Sequence, residues 1–324
     1  MLNKITVIGL GSYGSAMAQL LAKNLDNYVR CYARNPEKSV KSHFGSLPRN
    51  IVVNDLTEFK GHNLEDGELV FLALPTSALN EFMDKFTKVF VVHDSDYTLV
   101  NLAKGIVDGL PADQFINRKI KRFLPDSYDY AKMSTMFGPT FSTDLCEGPT
   151  GLTYSYTDDR QVEVVQAAFK TTPVKLDFSH DIKVTSYMSI FKNVYAIVMG
   201  FVDNETNNIS TYYLVLNNIL KEYDKVMKTL SPMYDITLYC GVGDLLLTSS
   251  SNKSRNRSFG GSVSLGIYSS ENDNGKIVHE GVKSVHYLAE MFYQATIIRA
   301  LSRFLNNNMS KSEFLEVAYG NETH

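Results

Sequence analysis

Between Gly241 and Gly261 the chain reads GVGDLLLTSSSNKSRNRSFGG, which holds an acid, a hydroxyl run and two arginines between glycines. Ser254 is placed to cap a following helix, whose first N–H groups, with Arg255, Asn256 and Arg257, would face an anion. A solvated basic turn accounts for the same spacing equally well, so residues elsewhere must decide. Lys192 stands in SIFKNVYAIVMG, where nearly every neighbour is apolar. Its ammonium either snorkels out or enters a cleft, and there burial or a second cation brings a lysine towards the range useful for proton transfer. Asp244 can hold such an ammonium or a substrate hydroxyl, or it can simply cap a helix.

The amino-terminal stretch supplies a different chemistry. Ile5 to Ile8 is a wholly β-branched run that leads into GLGSYG and then AMAQLLAKNL, whose apolar residues recur at helical spacing. Gly9 permits the tight turn, Gly11 lets backbone approach a pyrophosphate, and Gly14 lets the helix close on its strand. Ser12 and Tyr13 open the helix, where N–H groups and the helix dipole favour a phosphate. The second strand, Val29 to Ala33, ends at Arg34, twenty residues past Gly14. An arginine there either pairs with a 2′-phosphate and so favours NADP(H), with guanidinium stacking on adenine tolerating NAD(H) as well, or is a surface arginine in the basic turn before Pro36.

These groups need a scaffold. Strands are expected at Asn50 to Asn54, Glu68 to Leu74, Thr98 to Ala103, Lys132 to Phe137, Thr150 to Tyr156 and Val174 to Phe178, with helices from Ser77 to about Phe86 and from Arg160 to Lys170. Ligands collect at the carboxyl ends of such strands, which brings in Lys104 after one of them, as a site cation or a solvated loop lysine, and GPTFSTDLCEG after another. In that second stretch Thr140 or Ser142 would contact ligand at the start of a short helix. Alternating strands and helices make the first part an α/β layer structure. From Asp181 onward helical periodicity takes over, over Ile182 to Val202, Thr211 to Leu230 and Val282 to about Leu305. The expected division is residues 1–179 and 180–324.

Composition narrows the class. A length of 324 residues suits two domains, and a net charge of -3 argues against a nucleic-acid binder, which needs a strongly basic face. Cys31, Cys146 and Cys240 are sparse and lack metal-ligand spacing, which fits a reducing cytoplasm. The histidines form no cluster, His93, His180 and His279 standing singly, so metal catalysis is unsupported. No segment reaches the roughly 18 uninterrupted apolar residues of a membrane helix. Lys192 and Asn193 break the best candidate, Tyr187 to Val202.

Taken together, VIGLGSYGSAMA, LAKGI, FGPTFSTDL, KNVYAIVMGFVDN, GVGDLLLTSSSNKSRNRSFG and HEGVKS occur in an order that resembles the NAD(P)-dependent sn-glycerol-3-phosphate dehydrogenases of the bacterial type. The resemblance implies a Rossmann-type α/β N-terminal domain with a mainly parallel sheet and an all-α C-terminal domain. It implies an oxidoreductase that interconverts dihydroxyacetone phosphate and sn-glycerol 3-phosphate with NAD(P)(H), supplying glycerol 3-phosphate for glycerophospholipid synthesis. By the same resemblance Lys192 is the proton-transfer lysine, Lys104 contacts both substrate and cofactor, and Gly138, Thr140, Asp244, Ser254, Arg255 and Asn256 bind substrate. Ser12, Tyr13, Arg34, Ser142, Val278 and Glu280 match dinucleotide positions, and Arg255 also approaches the cofactor. No metal is implied, the partner is a phosphorylated triose, and a homodimer is compatible.

The chain also departs from that family. Where the family continues with a glycine-rich segment and a small-residue helix, DNETNNISTYYLVLNNILKEY is bulky and lacks those glycines. A β-hydroxyacid or ketopantoate-type dehydrogenase would share the two-domain plan. The SRNR block favours a phosphate handle over a carboxylate substrate. A catalytically impaired nicotinamide-binding sensor is the alternative from another class.

Overall fold

The computed structural model describes residues 2–60, 64–91, 96–123, 133–267 and 280–321. Val278, His93, His279 and Lys132 lie outside the described residues. The chain divides into two compact units, Met1–Ser186 and Tyr187–His324.

The first unit is built on one eight-stranded sheet. In chain order its elements are β1 (Asn3–Ile8), α1 (Ser12–Ala22), β2 (Asn27–Ala33), α2 (Pro36–His43), β3 (Ile51–Asp55), β4 (Leu69–Leu72), α3 (Thr76–Phe86) and β5 (Thr98–Asn101). The hairpin β6 (Ile106–Val107) and β7 (Leu110–Pro111) follows, then α4 (Ala112–Lys121), β8 (Met133–Phe137), β9 (Thr150–Ser155), α5 (Arg160–Phe169) and β10 (Val174–Ser179). The spatial order is β10-β9-β8-β5-β4-β1-β2-β3. Every pair is parallel except β8 with β9. β4, β5 and β8 are buried at every residue, as expected of central parallel strands covered on both faces. One face packs Met17, Leu20 and Leu21 of α1 and Val165 and Phe169 of α5. The other packs Leu79 and Met83 of α3 and Phe115 and Ile116 of α4.

Two strands stop earlier than their apolar runs suggest. β5 ends at Asn101 because its side chain closes a ring on Ala103. The Asn101 carbonyl oxygen accepts from Ala103 N at 3.0 Å and its amide donates to Ala103 O at 3.1 Å. β4 ends at Leu72, just ahead of Pro75, which stands at the N-cap of α3. The stretch after Gly138 forms turns rather than the expected short helix.

The second unit is helical. The long helix α6 (Ile182–Glu205) leads into it, followed by α7 (Ile209–Leu230), a single wide turn at Tyr239–Gly243, α8 (Asp244–Ser250), α9 (Arg255–Ser264), α10 (Glu280–Met291), α11 (Thr296–Leu305) and α12 (Lys311–Tyr319). The expected continuous helix from Val282 to Leu305 is two helices. Their break is stabilised from outside, since Glu222 of α7 accepts from the Ile297 N–H at 2.7 Å and from the Thr296 hydroxyl at 2.8 Å. A carboxylate at a helix N-terminus satisfies N–H groups that would otherwise be orphaned. Burial pushes the Glu222 carboxyl above its ordinary value, and these donors, with the Tyr195 hydroxyl, pull it back. Among the described residues no helix is long and apolar enough to cross a membrane.

Candidate active site

In the first unit the glycine loop has the geometry its spacing predicts. Gly9 has φ of 98°, in the left-handed region, and an added Cβ would lie 2.7 Å from Ala73 O. A Cβ on Gly14 would fall 1.9 Å from Gly9 O, so only glycine lets α1 close on the turn. A Cβ on Gly11 would meet no atom within 4 Å, which leaves the backbone facing open space. No side chain caps the N-terminus of α1 and no acid lies in its first turn, so its donors suit a pyrophosphate. Ser12 is exposed there.

A cavity of about 560 Å³ opens beside this loop, lined in part by Gly9, Gly11, Arg34, Asn35, Leu74 and Pro75. Arg34 is exposed at the end of β2. The next residue turns the chain, because the Asn35 side chain caps α2 by accepting from Lys38 N at 3.0 Å, and Pro36 takes the first helical position. Open backbone, an uncapped helix end and an apolar wall with an arginine at its rim fit a dinucleotide.

The same unit carries Lys104, Gly138, Thr140 and Ser142. The Asn101 ring directs the chain into Lys104, whose Nζ lies 5.7 Å from the centre of the Phe137 ring at the end of β8. Gly138 is required by crowding, since a Cβ there would stand 2.4 Å from Gly151 O. The Tyr13 hydroxyl and Thr140 Oγ1 are 3.2 Å apart, which ties the glycine loop to the turn after β8. Ser142 is half-buried beyond it.

The second unit carries Lys192, Asp244, Ser254, Arg255 and Asn256. Lys192 on α6 is 5% exposed and its Nζ lies 2.5 Å from Oδ1 of Asp244, itself 1% exposed. It also donates to Thr248 Oγ1 at 3.2 Å, and that hydroxyl donates to Asp244 O at 2.7 Å. Lys192 does not snorkel out: it is buried and paired with Asp244. Such a pair is retained only where both charges are compensated. Behind it Tyr195 and Tyr223 are fully buried, and burial above all drives both phenols well above their ordinary range.

Ser254 caps α9 as its position predicts, its Oγ accepting from Arg257 N at 3.3 Å. Arg255, exposed, and Asn256, half-buried, occupy the first turn of α9. Arg257 is different from the sequence expectation: its Nη2 pairs with Asp203 Oδ2 at 2.6 Å and its Nη1 donates to Asn252 Oδ1 at 2.8 Å. Its charge is compensated inside the unit. Glu280 is the first residue of α10.

Sequence reasoning passed over Thr248 and Tyr212. Thr248 stands four residues after Asp244, one helical turn on, and that spacing is the signal that finds it. Tyr212, whose hydroxyl donates to Ser249 O at 3.2 Å, belongs to the bulky segment where the chain is atypical.

Known proteins share this plan. Residues 4–162 match the family model for the N-terminus of NAD-dependent glycerol-3-phosphate dehydrogenase, and residues 181–316 match that for its C-terminus. The chain is 26% identical to the glycerol-3-phosphate dehydrogenase (NAD(P)+) of Malacoplasma penetrans, over 96% of this chain and 95% of that protein. To the enzyme of the same name from Pseudomonas aeruginosa strain LESB58 it is 31% identical, over 81% and 77% respectively. Among solved structures, a Plasmodium falciparum glycerol-3-phosphate dehydrogenase superposes with a TM-score of 0.82 at 16% identity, covering 100% of this chain and 96% of that one. The Coxiella burnetii enzyme gives 0.76 at 18% identity, with 98% of each chain covered. At these identities the two structures speak for the fold.

Proposed function

The chain belongs to the NAD-dependent glycerol-3-phosphate dehydrogenase family, and on that premise we propose that it interconverts dihydroxyacetone phosphate and sn-glycerol 3-phosphate with NAD(P)(H). The observation that carries this reading is the buried Lys192–Asp244 pair, in the same unit as a capped helix that opens on Arg255 and Asn256. Residues 1–179 are assigned to the dinucleotide and 180–324 to the substrate.

When bound, the reduced nicotinamide supplies a hydride to the carbonyl carbon. Lys192 gives the proton that completes the alcohol at the carbonyl oxygen. Asp244 and Thr248 hold Nζ in one place, which counts because proton transfer demands hydrogen-bond reach to the reacting oxygen. Lys104 is assigned to substrate and cofactor as a cation able to polarise a carbonyl. Ser254, Arg255 and Asn256 grip the phosphate, a remote anchor that orients the small substrate, and Gly138 and Thr140 are assigned to substrate binding as well. Ser12, Tyr13, Ser142, Val278 and Glu280 are assigned to the dinucleotide, with Arg255 shared.

Loss of reduced-nicotinamide absorbance on adding dihydroxyacetone phosphate tests the reading, with NADH and NADPH in parallel. Cofactor binding without oxidation would instead favour the sensor, and turnover of ketopantoate or a β-hydroxy acid the related dehydrogenases. Arg34 is proposed to favour NADP(H). A charge-assisted hydrogen bond to the 2′-phosphate contributes about 1.5–3 kcal/mol, and exposure at the rim puts Arg34 at the lower end. Arg34→Ala should therefore raise the KM for NADPH about tenfold and leave that for NADH within about threefold. Equal changes for both cofactors would refute the preference.

Supply of glycerol 3-phosphate for glycerophospholipid synthesis is the role proposed for the product. A cytoplasmic setting is proposed too, supported by three free thiols at Cys31, Cys146 and Cys240. A homodimer is proposed from Ile209 and Tyr213, exposed one turn apart on α7 beside exposed Leu214. Sedimentation at micromolar concentration should then give twice the chain mass, and Tyr213→Lys should give the single mass.

A further inference from the structure

Arg257 occupies a position from which the phosphate grip can be set without touching the phosphate. Three groups converge on it within the second unit. Asp203, near the end of α6, pairs with its Nη2, and Asn252, in the turn between α8 and α9, accepts from its Nη1. Tyr212, in the first turns of α7, lies close enough for the guanidinium to oppose the upward push of burial on its phenol. The Tyr212 hydroxyl also donates to Ser249 O, at the last turn of α8. The turn from Ser251 to Ser254 is thus clamped on both sides, by Tyr212 before it and by Arg257 with the Ser254 cap after it.

The packing of α9 on α6 leaves this clamp little room to give. A Cβ on Gly200 would stand 1.8 Å from Arg257 O, and one on Gly260 would stand 1.9 Å from Ile197 O. The two helices touch backbone to backbone. The Asn204 amide adds a bond to Gly261 O at 2.9 Å. With α9 held against α6 at Arg257 and Gly260, the remaining freedom is the path of the chain that enters it, and the Arg257 side chain reaches back across that entry to Asn252.

We propose that Arg257, with Asp203 and Tyr212, is a positioning residue that fixes the first turn of α9 so that Arg255 and Asn256 close on the substrate phosphate. The proposal rests on the reading above that those two residues hold that phosphate. It also accounts for the atypical bulky start of α7, where the tyrosine takes up space next to the grip and braces it.

The test compares Arg257→Met, Asp203→Asn and Tyr212→Phe in the full-length chain, with dihydroxyacetone phosphate as substrate and inorganic phosphate as competitive inhibitor. Arg257→Met should raise the KM for the triose phosphate and the Ki of inorganic phosphate together, by about tenfold, with kcat within about threefold and the KM for reduced cofactor unchanged. Asp203→Asn, at a half-exposed carboxylate, should reproduce several-fold of that rise. The double variant should be no worse than Arg257→Met alone, because both act through one path. Tyr212→Phe should give a smaller rise of the same kind. A fall in kcat with KM and the phosphate Ki unmoved would overturn the proposal as mere loss of fold. A silent Asp203→Asn beside a damaged Arg257→Met would overturn it in favour of direct contact. No turnover of dihydroxyacetone phosphate by the unaltered chain would overturn the functional reading, and the proposal with it.

Discussion

Lys192→Met should remove turnover almost completely, lowering kcat by about 10²- to 10⁴-fold, the usual contribution of a positioned general acid. Cofactor affinity, measured by fluorescence titration, should stay within about twofold, because Lys192 is assigned to proton transfer and is not among the residues assigned to the dinucleotide. A second effect follows from burial. Methionine fills the space of the lysine stem but leaves Asp244, 1% exposed, without its cation. Breaking a buried pair from one side costs about 3–5 kcal/mol. The single variant should therefore melt earlier, and Lys192→Met with Asp244→Asn should recover much of that stability while remaining inactive. Turnover retained in either variant would sink the role of Lys192. Recovery of stability without turnover separates the chemistry of the lysine from its part in the core.

Gly200→Ala carries the largest expected structural effect. Its Cβ would stand 1.8 Å from a backbone oxygen of α9, and backbone cannot step aside as a flexible side chain does. Overpacking inside a close-packed core costs about 1–3 kcal/mol when side chains can adjust, so a clash with backbone lies at or above the top of that range. Denaturant unfolding should show a lower midpoint, and the surviving folded protein a raised KM for the triose phosphate. Gly45→Ala is the control, because no atom lies within 4 Å of a Cβ there. Equal midpoints for the two variants would show that α9 can lift from α6 at no cost.

The parts of this molecule legible in its sequence are those fixed by local chemistry. The GLGSYG loop announces itself because each glycine answers a local steric demand, and Ser254 announces the start of α9 because a cap acts within one turn. Alternation of strands and helices up to the end of β10 is equally plain, since periodicity is a local property. What escapes is set by partners far along the chain. The break between α10 and α11 depends on Glu222, more than seventy residues earlier. Arg257 reads as a ligand-facing cation beside Arg255 until Asp203 is seen to take its charge. The reversal at β9 has a local cause of another kind: the short connection after β8 forms turns with no crossover helix, and a parallel return needs such a crossover. The turn geometry at Thr140 is part of that same connection.

The carboxylate of Glu222 has one more consequence. It receives Tyr195 from α6, extends from α7 and closes the first turn of α11, so a single group is shared among three helices. Helices joined in this way do not fray independently. The amide of Ile297, at a helix end where exchange with solvent is ordinarily fast, should exchange as slowly as the middle of α6 and report the opening of the whole unit.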